Sequence, residues 1–161
     1  WMLFRILSLI VLFFILTNYS YSAATSTGET ESNYDKAAKL IKTAKKYESK
    51  GKDKKAKKRY ERALKFLVKA NKEKPNQADT LNYLGFATRK LGDYEKGEKY
   101  YLLGLEIDPN HKGINEYLGE LYVVTNRIDL AKQRLDVLKN CNCEEYNELK
   151  EIIEGKKQSK Y

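Results

Sequence analysis

Residues 78–109 read Ala78-Asp-Thr-Leu-Asn-Tyr-Leu-Gly85-Phe-Ala-Thr-Arg-Lys-Leu-Gly92-Asp-Tyr-Glu-Lys-Gly97-Glu-Lys-Tyr-Tyr101-Leu-Leu-Gly104-Leu-Glu-Ile-Asp-Pro109. The spacing of the apolar residues predicts two amphipathic helices. They join at Gly92-Asp93 and close at Asp108-Pro109-Asn110. The triplet Tyr83-Leu84-Gly85 returns as Tyr117-Leu118-Gly119, an offset of 34 residues. A fixed offset of this size marks a stack of helical hairpins, each unable to bury its apolar face alone.

The stretch resembles the tetratricopeptide repeat (TPR) family, with Leu84, Gly85, Gly92, Tyr94, Tyr101 and Pro109 at its signature positions. Leu81 stands where the family has Trp, and Gly97 and Gly104 stand where it has alanine. The resemblance implies an all-α fold, a short TPR-type α-solenoid of about three hairpins with a C-terminal capping helix.

Upstream, Ala37, Leu40, Ile41, Ala44 and Tyr47 share one helical face, and Gly51 stops that helix. Ala56, Tyr60, Ala63, Leu64, Leu67 and Val68 form a second stripe that ends before Pro75. Gly51 and Pro75 are seven residues further apart than Gly92 and Pro109, so the second helix of this hairpin is elongated by about two turns. Downstream, Ile114, Tyr117, Leu118, Leu121 and Tyr122 make a third repeat's first helix, and Ile128, Ala131, Leu135 and Leu138 its second. Asn126 takes the place of Gly92, as the second-best residue for a left-handed turn. The expected repeat domain spans residues 33–154. Its parts are an elongated basic hairpin (33–76), second and third repeats (78–110 and 112–143) and a cap helix (144–154), with a frayed tail at 155–161. Gly85 and Gly119 are expected where the two helices of a hairpin approach too closely for a side chain.

At the other end, Met2 to Phe4 with Arg5 is a short n-region, and Ile6 to Leu16 is apolar apart from Ser8. Ser20-Tyr21-Ser22 or Ser22-Ala23-Ala24 then offers small residues for cleavage, so residues 1–24 read as a secretory signal peptide. The run is short of the roughly 20 apolar residues a membrane span needs, although an uncleaved inner-membrane anchor is the alternative. Residues 25–32 carry almost nothing to bury and are expected to be a disordered start of the mature chain. Behind this leader, the ending Leu138-Lys-Asn-Cys-Asn-Cys-Glu-Glu-Tyr-Asn-Glu-Leu149 is similar to that of small exported TPR proteins of alphaproteobacteria. A soluble periplasmic location follows as the expectation, with no stable membrane insertion after cleavage.

The chain has a formal net charge of +9 in 161 residues, unevenly spread. Residues 36–74 hold fifteen lysines and two arginines against four carboxylates, which leaves the remainder at −4. Lys52, Lys54, Lys55, Lys57, Lys58 and Arg59 form a basic patch. Such a patch is either the solubilising face of an end repeat or a surface for an acidic partner. Lysine dominates over arginine and no aromatic residues are interleaved, which argues against nucleic acid.

Sites for chemistry are scarce. His111 is the one histidine, set in an inter-repeat turn and expected to be solvated. A lone histidine suits zinc poorly. No glycine-rich phosphate loop and no nucleophile-histidine pairing is present, so neither an enzyme nor a cofactor is expected. Cys141 and Cys143 are the only thiols. In an oxidising compartment they would pair as a structural disulfide. A soft-metal pair, a redox dithiol and free thiols remain the alternatives.

The family pattern places Asn82, Phe86, Arg89, Lys90, Glu116, Glu120 and Val123 on the concave groove. The expected function is an exported scaffold or adaptor binding a protein or peptide there. A thiol-dependent metal or redox carrier centred on Cys141 and Cys143 is the second reading. The resemblance also implies what is missing, since the family's Lys/Asn/Arg clamp for a terminal carboxylate is not reproduced: Gly113 and Tyr117 stand at two of its positions. The exported protein is expected to have lost about 22–24 residues by intact mass, and a mature form retaining Met2 would rule out the leader.

Overall fold

Polar caps and left-handed residues cut the chain into helices. The computed structural model describes residues 31–159. The expected leader, most of the polar segment after it and the last two residues of the tail lie outside them. Among the described residues there are seven α-helices and no strand: α1 Asn33–Glu48, α2 Asp53–Glu73, α3 Ala78–Lys90, α4 Tyr94–Ile107, α5 Lys112–Val124, α6 Ile128–Leu138 and α7 Glu144–Ile153. No helix among them is long and apolar enough to cross a membrane. Ser32, expected in a disordered stretch, is the N-cap of α1, its hydroxyl accepting from the Asp35 N–H at 3.1 Å. The fold is an all-α solenoid of three hairpins, α1–α2, α3–α4 and α5–α6, closed by α7 against α5 and α6.

The 34-residue repeat is visible in the backbone. Gly92 (φ 96°) and Asn126 (φ 59°) turn the chain left-handed at the tips of the second and third hairpins. Behind each, the next N–H reaches back to an orphan carbonyl of the finished helix. Asp93 N–H donates to Thr88 O at 3.2 Å, and Arg127 N–H donates to Tyr122 O at 2.7 Å. Asp93 then caps α4 by accepting from the Lys96 N–H. Arg127 cannot do this, and instead its guanidinium grips Glu98 of α4 through two bonds of 2.9 and 2.7 Å. One repeat position is a local cap in one hairpin and a bridge between hairpins in the next.

Helix α2 is 21 residues long and α4 is 14, the two-turn surplus that the spacing of Gly51 and Pro75 requires. One cluster of buried side chains joins α1, α2 and α3, including Ile41, Tyr60, Leu67, Leu84 and Phe86. A second joins α4, α5 and α6, including Tyr101, Ile114, Leu118, Leu121 and Ala131. Each hairpin thus buries its stripe on its neighbour.

Glycines set how close the helices come. A Cβ on Gly85 would stand 2.5 Å from the Tyr101 ring of the same hairpin. Gly97 of α4 faces the Gly85 carbonyl, where a Cβ would lie 3.1 Å from that oxygen and 3.2 Å from Cβ of Arg89. Gly97 is therefore the residue that lets α3 and α4 touch. Gly119 differs from expectation. The side chain that crowds it most closely is Leu149 of α7, at 2.5 Å from a would-be Cβ. The capping helix fills against α5 the space that Tyr101 fills against α3.

Cys141 and Cys143 form a disulfide across the α6–α7 turn, with Cα atoms 5.2 Å apart. Cys143 is also the N-cap residue just before α7.

Gly85→Ala should press on a fully buried ring and lower stability by about 1–3 kcal/mol, read as an earlier urea midpoint. An unchanged midpoint would show that the Tyr101 ring has room to move.

Candidate functional site

Residues one repeat apart occupy equivalent places, so α3 and α5 present matched side chains: Asn82 with Glu116, Phe86 with Glu120, Arg89 with Val123. Between these helices, α1 and α7, the stack encloses a groove of about 660 Å³. Phe86, Lys90, Glu116 and Glu120 line it, joined by Lys45, Tyr117, Glu145, Glu148 and Lys157. Glu116, Tyr117 and Glu145 also border a second concavity, which continues past Asn82, Tyr83 and His111.

Two expected groove residues turn out to be elsewhere. Arg89 is 1 % exposed, beneath the groove floor. Its guanidinium donates to Tyr117 O at 2.6 Å, stands 3.6 Å from the Glu120 carboxylate, and lies 5.7–5.8 Å from the rings of Phe86, Tyr101 and Tyr117. It holds the second hairpin to the third and does not face a ligand. Val123 packs against the second core cluster. Phe86 borders the groove but is only 3 % exposed, wedged edge-on to Tyr60 and tilted against Tyr117 at 4.8 Å between ring centres. The first hairpin covers it, which removes it as an open anchor. Asn82 is likewise buried and borders only the second concavity.

The groove residues that the sequence reading missed come from helices distant in the chain. Lys45 of α1 places its ammonium 4.6 Å from the Phe86 ring centre and 5.0 Å from that of Tyr117, and donates to the Tyr117 hydroxyl at 2.7 Å. Glu145 and Glu148 enter on α7, and Lys157 returns from beyond it to pair with Glu148. Their one sequence signal is Glu144, Glu145 and Glu148 lying on one helical face.

The electrostatics follow from burial. Desolvation pushes the Glu116 carboxyl up to about 8, reinforced by Glu120, Glu145 and Glu148 and opposed by Lys45. Burial also raises Glu120, with Arg89 and Lys45 opposing. The basic patch is separate: Lys52, Lys54, Lys55, Lys57 and Lys58 are exposed, Arg59 is half-buried, and none of the six lines either concavity.

His111 is not a solvated turn residue. Its Nδ1 accepts from the Ile114 N–H at 3.1 Å, capping α5, and its Nε2 meets Asp79 of α3 at 3.0 Å. Among the described residues no three His, Cys, Asp or Glu side chains come together as metal ligands.

No protein-family model matches the sequence, and no curated protein matches it. Solved structures do. The first TPR domain of Spaghetti (RPAP3) bound to the HSP90 peptide SRMEEVD superposes with a TM-score of 0.53 at 20% identity, over 78% of this chain and 97% of that one. The second TPR domain of human RPAP3, in complex with the HSP70 peptide SGPTIEEVD, gives 0.51 at 18% identity, over 76% and 98%. A tetratricopeptide repeat protein from Parabacteroides merdae gives 0.51 at 17% identity, over 75% of this chain and 61% of that one. The fold is that of TPR domains.

The Glu116 carboxyl supplies a pH test. Its unfolded value is about 4.3 and its folded value is about 8. Between the two the native state keeps a proton that the unfolded chain gives up, so its contribution to stability is lost as pH rises. Glu116→Gln, which cannot ionise, should match the parent near pH 4 and melt progressively higher than it towards pH 8. Parallel melting curves across that range would remove the perturbed carboxyl.

Proposed function

We propose that this chain is a binding module that holds an extended segment of a partner protein in the groove between α1, α3, α5 and α7. The groove itself carries the reading. It is concave, continuous with a second concavity through Glu116 and Tyr117, and lined mainly by charged side chains. Stacked helical hairpins bind through such surfaces, since each repeat adds one more row of side chains along an extended ligand. Two of the similar structures carry peptides of HSP90 and HSP70, which supports a peptide-sized occupant here.

The proposal includes export. The leader pattern of residues 1–24 supports it, and so does a Cys141–Cys143 disulfide, which persists in an oxidising compartment. The exposed lysines of α2 would then be a second surface, recruiting an acidic partner from outside the groove.

A photo-crosslinking side chain tests the groove. Placed at Lys90 or Glu145 it should yield adducts with a partner chain. Placed at Glu106, which is exposed on α4 and borders neither concavity, it should yield none. Adducts from Glu106 alone would move the interaction off the concave face.

A further inference from the structure

We infer that the segment held in the groove is basic, an arginine- or lysine-bearing stretch of another chain lying along the wall that α5 and α7 form. This deepens the proposed function and rests on it.

The charge balance of the lining gives the direction. Glu48, Asp53, Glu116, Glu120, Glu144, Glu145 and Glu148 face three lysines, in a chain whose total charge is +9. The groove is an acidic recess in a basic molecule. Three of those carboxylates have a cation of the chain within ion-pair distance: Glu48 has Lys90, Glu120 has Arg89, and Glu148 has Lys157. Among the described residues, the other four, Asp53, Glu116, Glu144 and Glu145, form no such pair. Glu116, Glu144 and Glu145 stand on facing parts of α5 and α7. A ligand cation would meet Glu144 and Glu145 directly there and would draw the proton off Glu116, whose buried carboxyl otherwise keeps it near neutral pH.

A second observation is that ammonium groups already occupy this recess. Lys45, from α1, sits over the Phe86 and Tyr117 rings. Lys157, from the segment after α7, reaches back into the groove to Glu148. Two lysines from opposite ends of the described chain have found the same surface, through ring faces in one case and a carboxylate in the other. Because no three carboxylates among the described residues come together as metal ligands, the arrangement suits cations spaced along an extended backbone. It does not suit a single ion. An acidic tail such as the one in the RPAP3 complexes would meet the α5–α7 wall as like charge.

Fluorescence anisotropy on the full chain distinguishes the outcomes, with three labelled heptapeptides: alternating arginine and serine, serine only, and SRMEEVD. The arginine peptide should bind and the serine peptide should not. Glu116→Gln/Glu145→Gln should weaken arginine-peptide binding by about tenfold or more, near 1.4 kcal/mol. Lys54→Gln/Lys57→Gln, on the basic patch, should leave it unchanged or slightly tighter. Non-specific attraction cannot mimic this pattern, because the molecule as a whole repels a cation. Circular dichroism of each variant keeps folding out of the comparison. Equal binding of the arginine peptide to parent and groove variant overturns the inference. Binding of SRMEEVD alone, lost in Lys90→Gln but kept in Lys54→Gln/Lys57→Gln, also overturns it while leaving a peptide-binding groove in place. If none of the three peptides binds, the inference falls and the proposed function loses its ligand class.

Discussion

A buried guanidinium holds the centre of this molecule together. Arg89 lies under the groove with its charge met by the Glu120 carboxylate, the Tyr117 carbonyl and three aromatic rings. Taking an ion out of water costs several kcal/mol, and removing one partner of such a pair costs about 3–5 kcal/mol because the other charge is left stranded. The second and third hairpins are therefore tied by an interaction that tolerates little displacement. Gly97 is part of the same device: an alanine there would crowd both the Gly85 carbonyl and the Arg89 side chain. A glycine at this position, where the TPR pattern has alanine, leaves room beside the base of the Arg89 side chain where α3 meets α4.

The groove floor inherits its character from that pair. Phe86 and Tyr117 pack over Arg89 and are held by it, so their upper faces point towards the groove and carry Lys45. Glu120 is bound to the arginine below, which leaves Glu116, one turn earlier on α5, to face the groove beside the carboxylates of α7. The capping helix thus has two roles. It closes the stack by placing Leu149 over Gly119, and it brings Glu145 and Glu148 to the groove wall. The positive face of α2 lies apart from this wall, so the +9 of the whole chain says little about what the groove accepts.

The architecture was legible from periodicity because helix-forming stripes, turn residues and the 34-residue offset are local and repeat. Gly92, Asn126 and the long second helix of the first hairpin could be placed from residue types and spacing alone. The site was less legible. Family positions named Arg89 and Phe86 as groove residues, yet they give only which face of a helix is concave, not how deep a side chain sits. The elongated first hairpin brings Tyr60 against Phe86, and the arginine turns inward to a carboxylate one repeat away. His111 shows the same limit. A turn histidine reads as solvated until α3 brings Asp79 to its Nε2.

By itself, then, the chain determined its hairpins, their order and the separation of a basic first hairpin from a net acidic remainder, because each depends on residues close in sequence. Only the tertiary structure decided which charges share a surface. Lys45 and Glu116 are 71 positions apart, and Glu116 and Glu145 are 29. Nothing local records that they meet around one groove. Burial then sets the chemistry, raising the Glu116 carboxyl to about 8 by desolvation. That shift depends on the packed helices around the carboxyl, and no reading of its neighbours in sequence contains it.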